Sequence, residues 1–229
     1  MPRKKNPGHA NVPANLNTNL PAMPERFAIG GTEVRPEQFY VIEDHRPDRS
    51  GPWDAEAVDK LAWRDAATGL DCILLRQFNG IWGAFVAVTP SHPLYGFNAD
   101  AIPAEAALTP HGGIDYAQEC DDHDVEETRI CHVRPPRPIG VMADYEGPEA
   151  RNAFDDAWWF GFAADKPGDL VPVASTIRLP REEGEVYRTI DYMYGETTKL
   201  ARQLRKLDPE PTISSLPILG RSKPKRGRS

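Results

Sequence analysis

Two histidines set against conformationally demanding residues are the first sign of chemistry in this chain. In "SHPLYGFNADAIPAEAALTPHGGIDY" (91–116), His92 precedes Pro93, and His111 precedes the pair Gly112-Gly113. A glycine pair lets the backbone approach a ligand and can turn successive amide N–H groups toward an anion. A histidine at the lip of such a turn could donate to a phosphate or carboxylate, or act as acid or base near neutral pH. Pro93 keeps His92 out of the helical region, so its imidazole leaves the preceding segment in an extended conformation, and Tyr95-Gly96 then closes a turn. Downstream, "WWFGFAADKPGDLVP" (158–172) runs from aromatic residues into a turn holding Asp169, a carboxylate suited to orienting a histidine. His92, His111 and Asp169 are therefore the candidate catalytic residues, and Gly112, Gly113, Tyr95 and Trp159 the candidate ligand-binding residues. The competing reading is turn chemistry: an exposed imidazole on a Pro-His-Gly-Gly turn, a loop histidine without a role, and an aspartate that caps its own turn.

A second cluster holds Cys120, His123, Cys131 and His132 within thirteen residues. Cysteine and histidine are the favoured zinc ligands. The spacing argues against a closed site, because neighbouring side chains on an extended chain point apart, and Cys131 and His132 are adjacent. Zinc is therefore not the favoured cofactor, and a solvated acidic loop with buried thiols is the alternative. With Cys72 the cysteines number three, which fits thiols kept free or metal-bound in a reducing compartment.

Side chains of this kind need a rigid frame. "CILLRQF" (72–78) and "IWGAFVAV" (81–88) are rich in β-branched and aromatic residues and flank Asn79-Gly80. An Asn-Gly pair between two such runs signals a tight hairpin whose two central residues both take positive φ. "AWWFGFA" (157–163) reads as a third strand, "EQFYVIE" (37–43) as another, and "RPIGVMADY" (137–145) as a weaker extended run. Val186, Ile190, Met193, Thr197, Leu200, Leu204 and Leu207 recur at steps of four and three, the spacing of one helix face, with Pro209 as the stop. Short helices fit near 103–107 and over 147–156, and 54–70 is ambiguous between an alanine-rich helix and a turn. The sum is a single α+β domain over residues 26–208, a mostly antiparallel sheet with a C-terminal helix packed on it.

Residues 1–25 carry prolines, asparagines and a basic cluster, and read as a disordered arm; residues 209–229 read as a flexible basic tail. The tail is either solubilising or a weak contact for nucleic acid. A net charge of -7 excludes a broad basic field for nucleic acid over the folded body. No apolar run approaches the ~20 residues of a membrane span, and no apolar stretch follows the basic N-terminal residues as a secretory signal requires. The expected location is the cytoplasm.

Taken in order, "TGLDCILLR", "GAFVAVTPSHPLYG", "HGGI", "ICHV" and "WWFGFAADKPGDLVP" resemble an uncharacterised family of bacteriophage and bacterial proteins over roughly residues 60 to 207. The resemblance implies a lineage, and a host cytoplasm as the setting, but no mechanism. It also implies a departure. Ala163, Ala164 and Lys166 stand where the family pattern has aspartate, cysteine and histidine, while Gly168 and Asp169 remain.

Two classes of function fit these residues. One is a small hydrolase or transferase in which His92 and His111 act as acid–base or anion-binding groups, Asp169 orients them, and the glycine pair faces a phosphate-bearing, nucleotide-like small molecule. The other is a non-enzymatic protein that sequesters such a ligand or blocks a host or defence protein. A structural role with the aromatic strand as contact surface is a third. Because residues 1–22 carry few large apolar groups and residues 221–229 none, deleting both should leave the melting temperature nearly unchanged; a thermal melt that falls by more than a few degrees would show that one of them docks on the domain.

Overall fold

Alternation of apolar residues between two buried faces explains the strands. The computed structural model describes residues 23–120, 125–131, 156–172 and 184–208. In it β3 (Pro36–Tyr40), β4 (Lys60–Arg64), β5 (Asp71–Arg76), β6 (Trp82–Val88), β7 (Tyr116–Glu119) and β8 (Trp158–Ala163) form a six-stranded sheet in the order β3-β4-β5-β6-β8-β7. All its neighbours pair antiparallel. A separate hairpin joins β1 (Phe27–Ile29) to β2 (Thr32–Val34), and helix α1 (Ile190–Leu207) packs chiefly on β6 and β5. This is the α+β, mostly antiparallel class with a late helix that the sequence implies. The run at 137–145, most of 147–156 and nearly all of both tails lie outside the described residues.

Period two sorts the core into two layers. Leu61, Trp63, Leu74, Trp82, Ala84, Val86, Phe160 and Phe162 belong to the larger cluster with α1, whereas Ala62, Ile73, Leu75, Phe85, Ala87 and Trp159 belong to a second cluster. Burying each large apolar side chain contributes roughly 1.5–3 kcal/mol. Gly161 shows how close the packing is: a Cβ there would lie 2.4 Å from the Phe85 ring and 2.8 Å from the Ala84 carbonyl oxygen.

The β5–β6 hairpin forms around Asn79-Gly80 with Arg76 opposite Trp82. Its turn is not the two-residue primed type. Gly80 N–H donates to the Gln77 carbonyl (2.8 Å) and Gln77 N–H to the Ile81 carbonyl (2.8 Å). Gly80 has φ +81°, while Asn79 is not among the positive-φ residues. The loop is thus one residue longer, with glycine alone in the left-handed region, the bulged form that follows primed turns in frequency.

Helix α1 buries Ile190, Met193, Thr197, Leu200 and Leu204 on one face, as the spacing predicts. Val186 stays outside it, half exposed, in an isolated parallel bridge to Asp169. Thr189 caps the helix, its side-chain oxygen accepting from Tyr192 N–H (3.3 Å). The ambiguous stretch 54–70 resolves into β4 and the Asp65–Gly69 turn, in which Asp65 accepts from Thr68 N–H (2.9 Å) and Oγ1–H (2.7 Å). The short helix near 103–107 is a 3-10 turn over Ala104–Ala106.

Under the N-terminus of α1 lies a buried ionic cluster. The fully buried Arg76 donates from Nε to Asp59 (2.7 Å), from Nη2 to Glu56 (2.5 Å), and from Nη1 to the Tyr187 hydroxyl (2.7 Å) and the Gly80 carbonyl (3.1 Å). Its guanidinium lies over the Trp82 ring, 4.6 Å from the centroid. Glu56 also accepts from Trp82 Nε1–H (3.1 Å), Tyr187 O–H (2.8 Å) and the first helical amide, Ile190 N–H (2.7 Å). Asp59 also accepts from Arg46 Nε–H (2.8 Å) and Ile42 N–H (2.8 Å). Two guanidiniums thus meet two carboxylates, so the buried charge is balanced. Removing one partner from a buried pair typically costs about 3–5 kcal/mol. Arg76→Met should therefore lower the unfolding free energy by about that amount in a urea titration, and Arg76→Lys should also destabilise, since an ammonium cannot span the same fork.

Candidate functional site

His111 sits where three segments meet: the loop after Pro110, the turn after β8, and the start of α1. Its Nε2–H donates to Asp169 Oδ2 (2.6 Å), which leaves Nδ1 to accept from the Tyr192 hydroxyl (2.9 Å). The Asp169 side chain is fully buried and carries the only negative charge bonded to this imidazole among the described residues. Asp169 Oδ2 also accepts from Lys166 N–H (3.0 Å), and Oδ1 from Arg188 Nε–H (2.6 Å). The turn itself is local chemistry: Gly168 takes φ +88° and Asp169 N–H returns to the Lys166 carbonyl (2.8 Å). Arg188 stacks on the Tyr192 ring at 4.8 Å, and His111 meets the same ring edge-on at 5.4 Å between centroids. Burial alone would raise the Asp169 carboxyl, but the hydrogen bonds from His111, Arg188 and the Lys166 amide hold it below its ordinary value.

The glycine pair shapes this loop. Gly112 and Gly113 both have positive φ, +69° and +89°. The Lys166 stem crosses Gly112 so closely that a Cβ would lie 2.4 Å from its Cγ. Lys166 Nζ pairs with Asp115 and with Asp165 (2.9 Å). Gly113 N–H closes the turn onto the Pro110 carbonyl (3.0 Å), so that amide serves the loop and not a ligand.

Asp169 thus pairs with His111, but His92 is elsewhere. It is buried, its Nε2–H donates to the Leu204 carbonyl (3.0 Å), and its Nδ1 accepts from Leu94 N–H (3.1 Å). Tyr192 and Leu204 lie twelve residues apart on α1, about 18 Å at 1.5 Å per residue. The expectation of two histidines over one cleft is therefore corrected: His92 satisfies an orphan carbonyl in the last turn of the helix. Tyr95 sits with His92, its ring 6.0 Å from that of Trp158, and Trp159 is buried in the second core layer. Neither joins His111.

The cysteine reading is also corrected. Cys120 and Cys131 are joined in a disulfide with Cα atoms 4.9 Å apart, and Cys72 is the free, buried thiol. Two of the four candidate zinc ligands are therefore bonded to each other, and the argument for a reducing compartment loses its basis. His123 and His132 lie outside the described residues. Among the described residues no cluster of three His, Cys, Asp or Glu side chains could hold a metal ion, and no helix is long and apolar enough to cross a membrane.

No family model matches the chain, and neither a curated protein nor a solved structure matches it. The site must be read from its own geometry. That geometry adds Tyr192, Arg188 and Lys166, which the sequence reading missed as partners. The one local signal was "YRTIDYMY" (187–194), a capped helix start carrying a cation and a phenol.

Because the folded Asp169 carboxyl lies below its unfolded value, its stabilisation is present above the ordinary carboxylate pKa and lost as pH falls through the folded one. Asp169→Asn should cost roughly 1–3 kcal/mol at neutral pH. The difference from wild type should shrink below about pH 4, as denaturant titrations across pH will show.

Proposed function

We propose that the surface formed by His111, Tyr192 and Arg188 binds a small anionic, phosphate-bearing ligand of nucleotide-like chemistry and hydrolyses or transfers a group on it. The observation behind this reading is the chain of hydrogen bonds from buried Asp169 through His111 to the half-exposed Tyr192 hydroxyl. In such a chain the carboxylate fixes the tautomer, the imidazole accepts the phenol proton, and the phenol oxygen becomes the nucleophile or general base. Arg188 stands over the same ring, where a guanidinium matches a phosphate in two-pronged fashion.

A binding-only role has its own support. Lys166 and Arg188 are already matched by Asp115, Asp165 and Asp169, which leaves little positive field to stabilise a developing negative charge. Together with the resemblance to phage-encoded proteins, this favours sequestration of a ligand or the blocking of a host protein as the second reading.

A thermal-shift screen of nucleotides and sugar phosphates tests both. A ligand at a hundredfold excess over its dissociation constant should add about 2.7 kcal/mol of stability. His111→Ala should abolish the shift. Tyr192→Phe should keep the shift and abolish turnover if the site is catalytic. A shift without turnover in the wild type leaves the binding-only role, and no shift with any anion rejects both the enzyme and the sequestration of such a ligand.

A further inference from the structure

The second face of the sheet holds an amine far from His111 in the sequence and in its contacts. Lys60 stands in β4 opposite Leu75, with Tyr40 across from it on β3. Its side chain is fully buried. Its ammonium donates to the backbone carbonyls of Glu126 and Arg129, the latter at 2.8 Å, and lies 5.8 Å from the Tyr40 ring centroid. Those carbonyls belong to a turn in which Thr128 and Arg129 N–H both donate to the Val125 carbonyl at 3.0 Å. Gln38 on β3 reaches Glu126 Oε1 at 3.3 Å. Ile130 packs on the second core layer, and Cys131 beside it is buried and bonded to Cys120.

Among the described residues, both carbonyls that hold the Lys60 ammonium come from one short segment, and the disulfide fastens that segment to the end of β7. The fit beneath it is incomplete. Gln38 Oε1 and Arg129 Nε are buried without a hydrogen-bond partner among the described residues. Unmatched polar atoms at a contact lower the cost of separating it, because water satisfies them once the contact opens. Burial, and then the nearby Arg129, lower the Lys60 ammonium to about 7 against the opposing pull of Glu126 and Glu127. Both lowering causes belong to the closed cover and fall away when it lifts, so the uncovered amine reacts through the neutral fraction of an ordinary lysine.

We propose that Val125–Cys131 is a cover over Lys60 and that the Cys120–Cys131 disulfide is its latch, so that reduction uncovers Lys60 as an amine site for small aldehydes. The chemistry balances with a dithiol as reductant. Its thiolate attacks Sγ of Cys120, the more exposed of the two, and Cys131 leaves as thiolate. The second thiol of the reductant displaces Cys120, so two electrons pass and a cyclic disulfide is released. The neutral Lys60 Nζ then attacks the aldehyde carbonyl carbon, and loss of water gives an imine.

The test uses the full chain in three forms: oxidised; reduced with dithiothreitol and then alkylated; and the double variant Cys120→Ser with Cys131→Ser. Each is exposed to formaldehyde and cyanoborohydride, and methylation is read by peptide mass mapping. In the oxidised form Lys60 should react at least about tenfold more slowly than the surface Lys199, the protection expected of a closed segment. In the reduced form and in the variant its rate should approach that of Lys199. The proposal is overturned if Lys60 reacts as fast as Lys199 in the oxidised protein, or if it stays protected in both open forms. It is also overturned if hydrogen exchange shows β4 and β5 losing protection on reduction, because the segment is then not a separable cover.

Discussion

A single guanidinium placed under a helix end holds this architecture together. Arg76 closes β5 on the side of the sheet that faces α1, and it has no contact with solvent. A charge in that position is tolerable only if it is paired and hydrogen-bonded there. Glu56 and Asp59 provide them from the segment entering β4, and Tyr187 from the segment entering α1. One residue thus demands a set position from two distant parts of the chain. Such a cluster adds little net stability over an apolar core of the same size. What it does in the structure is join the two segments: the first helical amide, Ile190 N–H, donates to Glu56 (2.7 Å).

The far end of the helix is fixed in the same way. Its last carbonyls lack partners within the helix, and the one at Leu204 is met by His92 from the loop after β6. One residue before Leu204, Gln203 joins the same loop through Thr109, its Oε1 accepting from the amide (3.0 Å). At the near end Asp191 accepts from Gly30 N–H (2.7 Å), which ties down the β1–β2 hairpin. That hairpin needs glycine at its tip: Gly30 has φ +56° and lies so near Tyr194 that a Cβ would sit 2.5 Å from the ring.

These long-range partners explain what the sequence discloses and what it hides. The β5–β6 hairpin, β8 and the helix face are legible because each rests on local pattern: a glycine turn, a run of β-branched and aromatic residues, a recurring step of three and four. Even there, local pattern names the turn residue but not the loop length, and Asn79 takes no positive φ. β4 escapes because alanine and the charged ends of "KLAWR" resemble a helix until the buried faces on either side are known. The link from His111 to Asp169 was within reach, since a strand end and a glycine loop both present polar side chains. His92 was misread because its partner, a helix carbonyl, has no signature in the sequence. The disulfide was hidden for a related reason: cysteines eleven residues apart pair only if the fold brings their Cα atoms together, and spacing alone is silent on that.

The two polar clusters share a short stretch of chain, and this links the core to the candidate site. Tyr187 turns inward to Arg76 and Glu56, while the next residue, Arg188, turns outward to Asp169 and Tyr192. Adjacent residues on an extended segment point in opposite directions, so fixing Tyr187 also aims Arg188. Thr189 then caps the helix, and the first turn presents Tyr192 to His111. Both clusters use the same residue types, an arginine, carboxylates and a tyrosine, but they differ in access to water. Inside, the charges find permanent partners and hold the fold. At the edge, His111 and Arg188 keep part of their surface exposed, so an incoming ligand can compete for their hydrogen bonds without entering the core. Groups held rigidly from behind and wetted in front are suited to recognition, because the cost of ordering them is met during folding and not at binding.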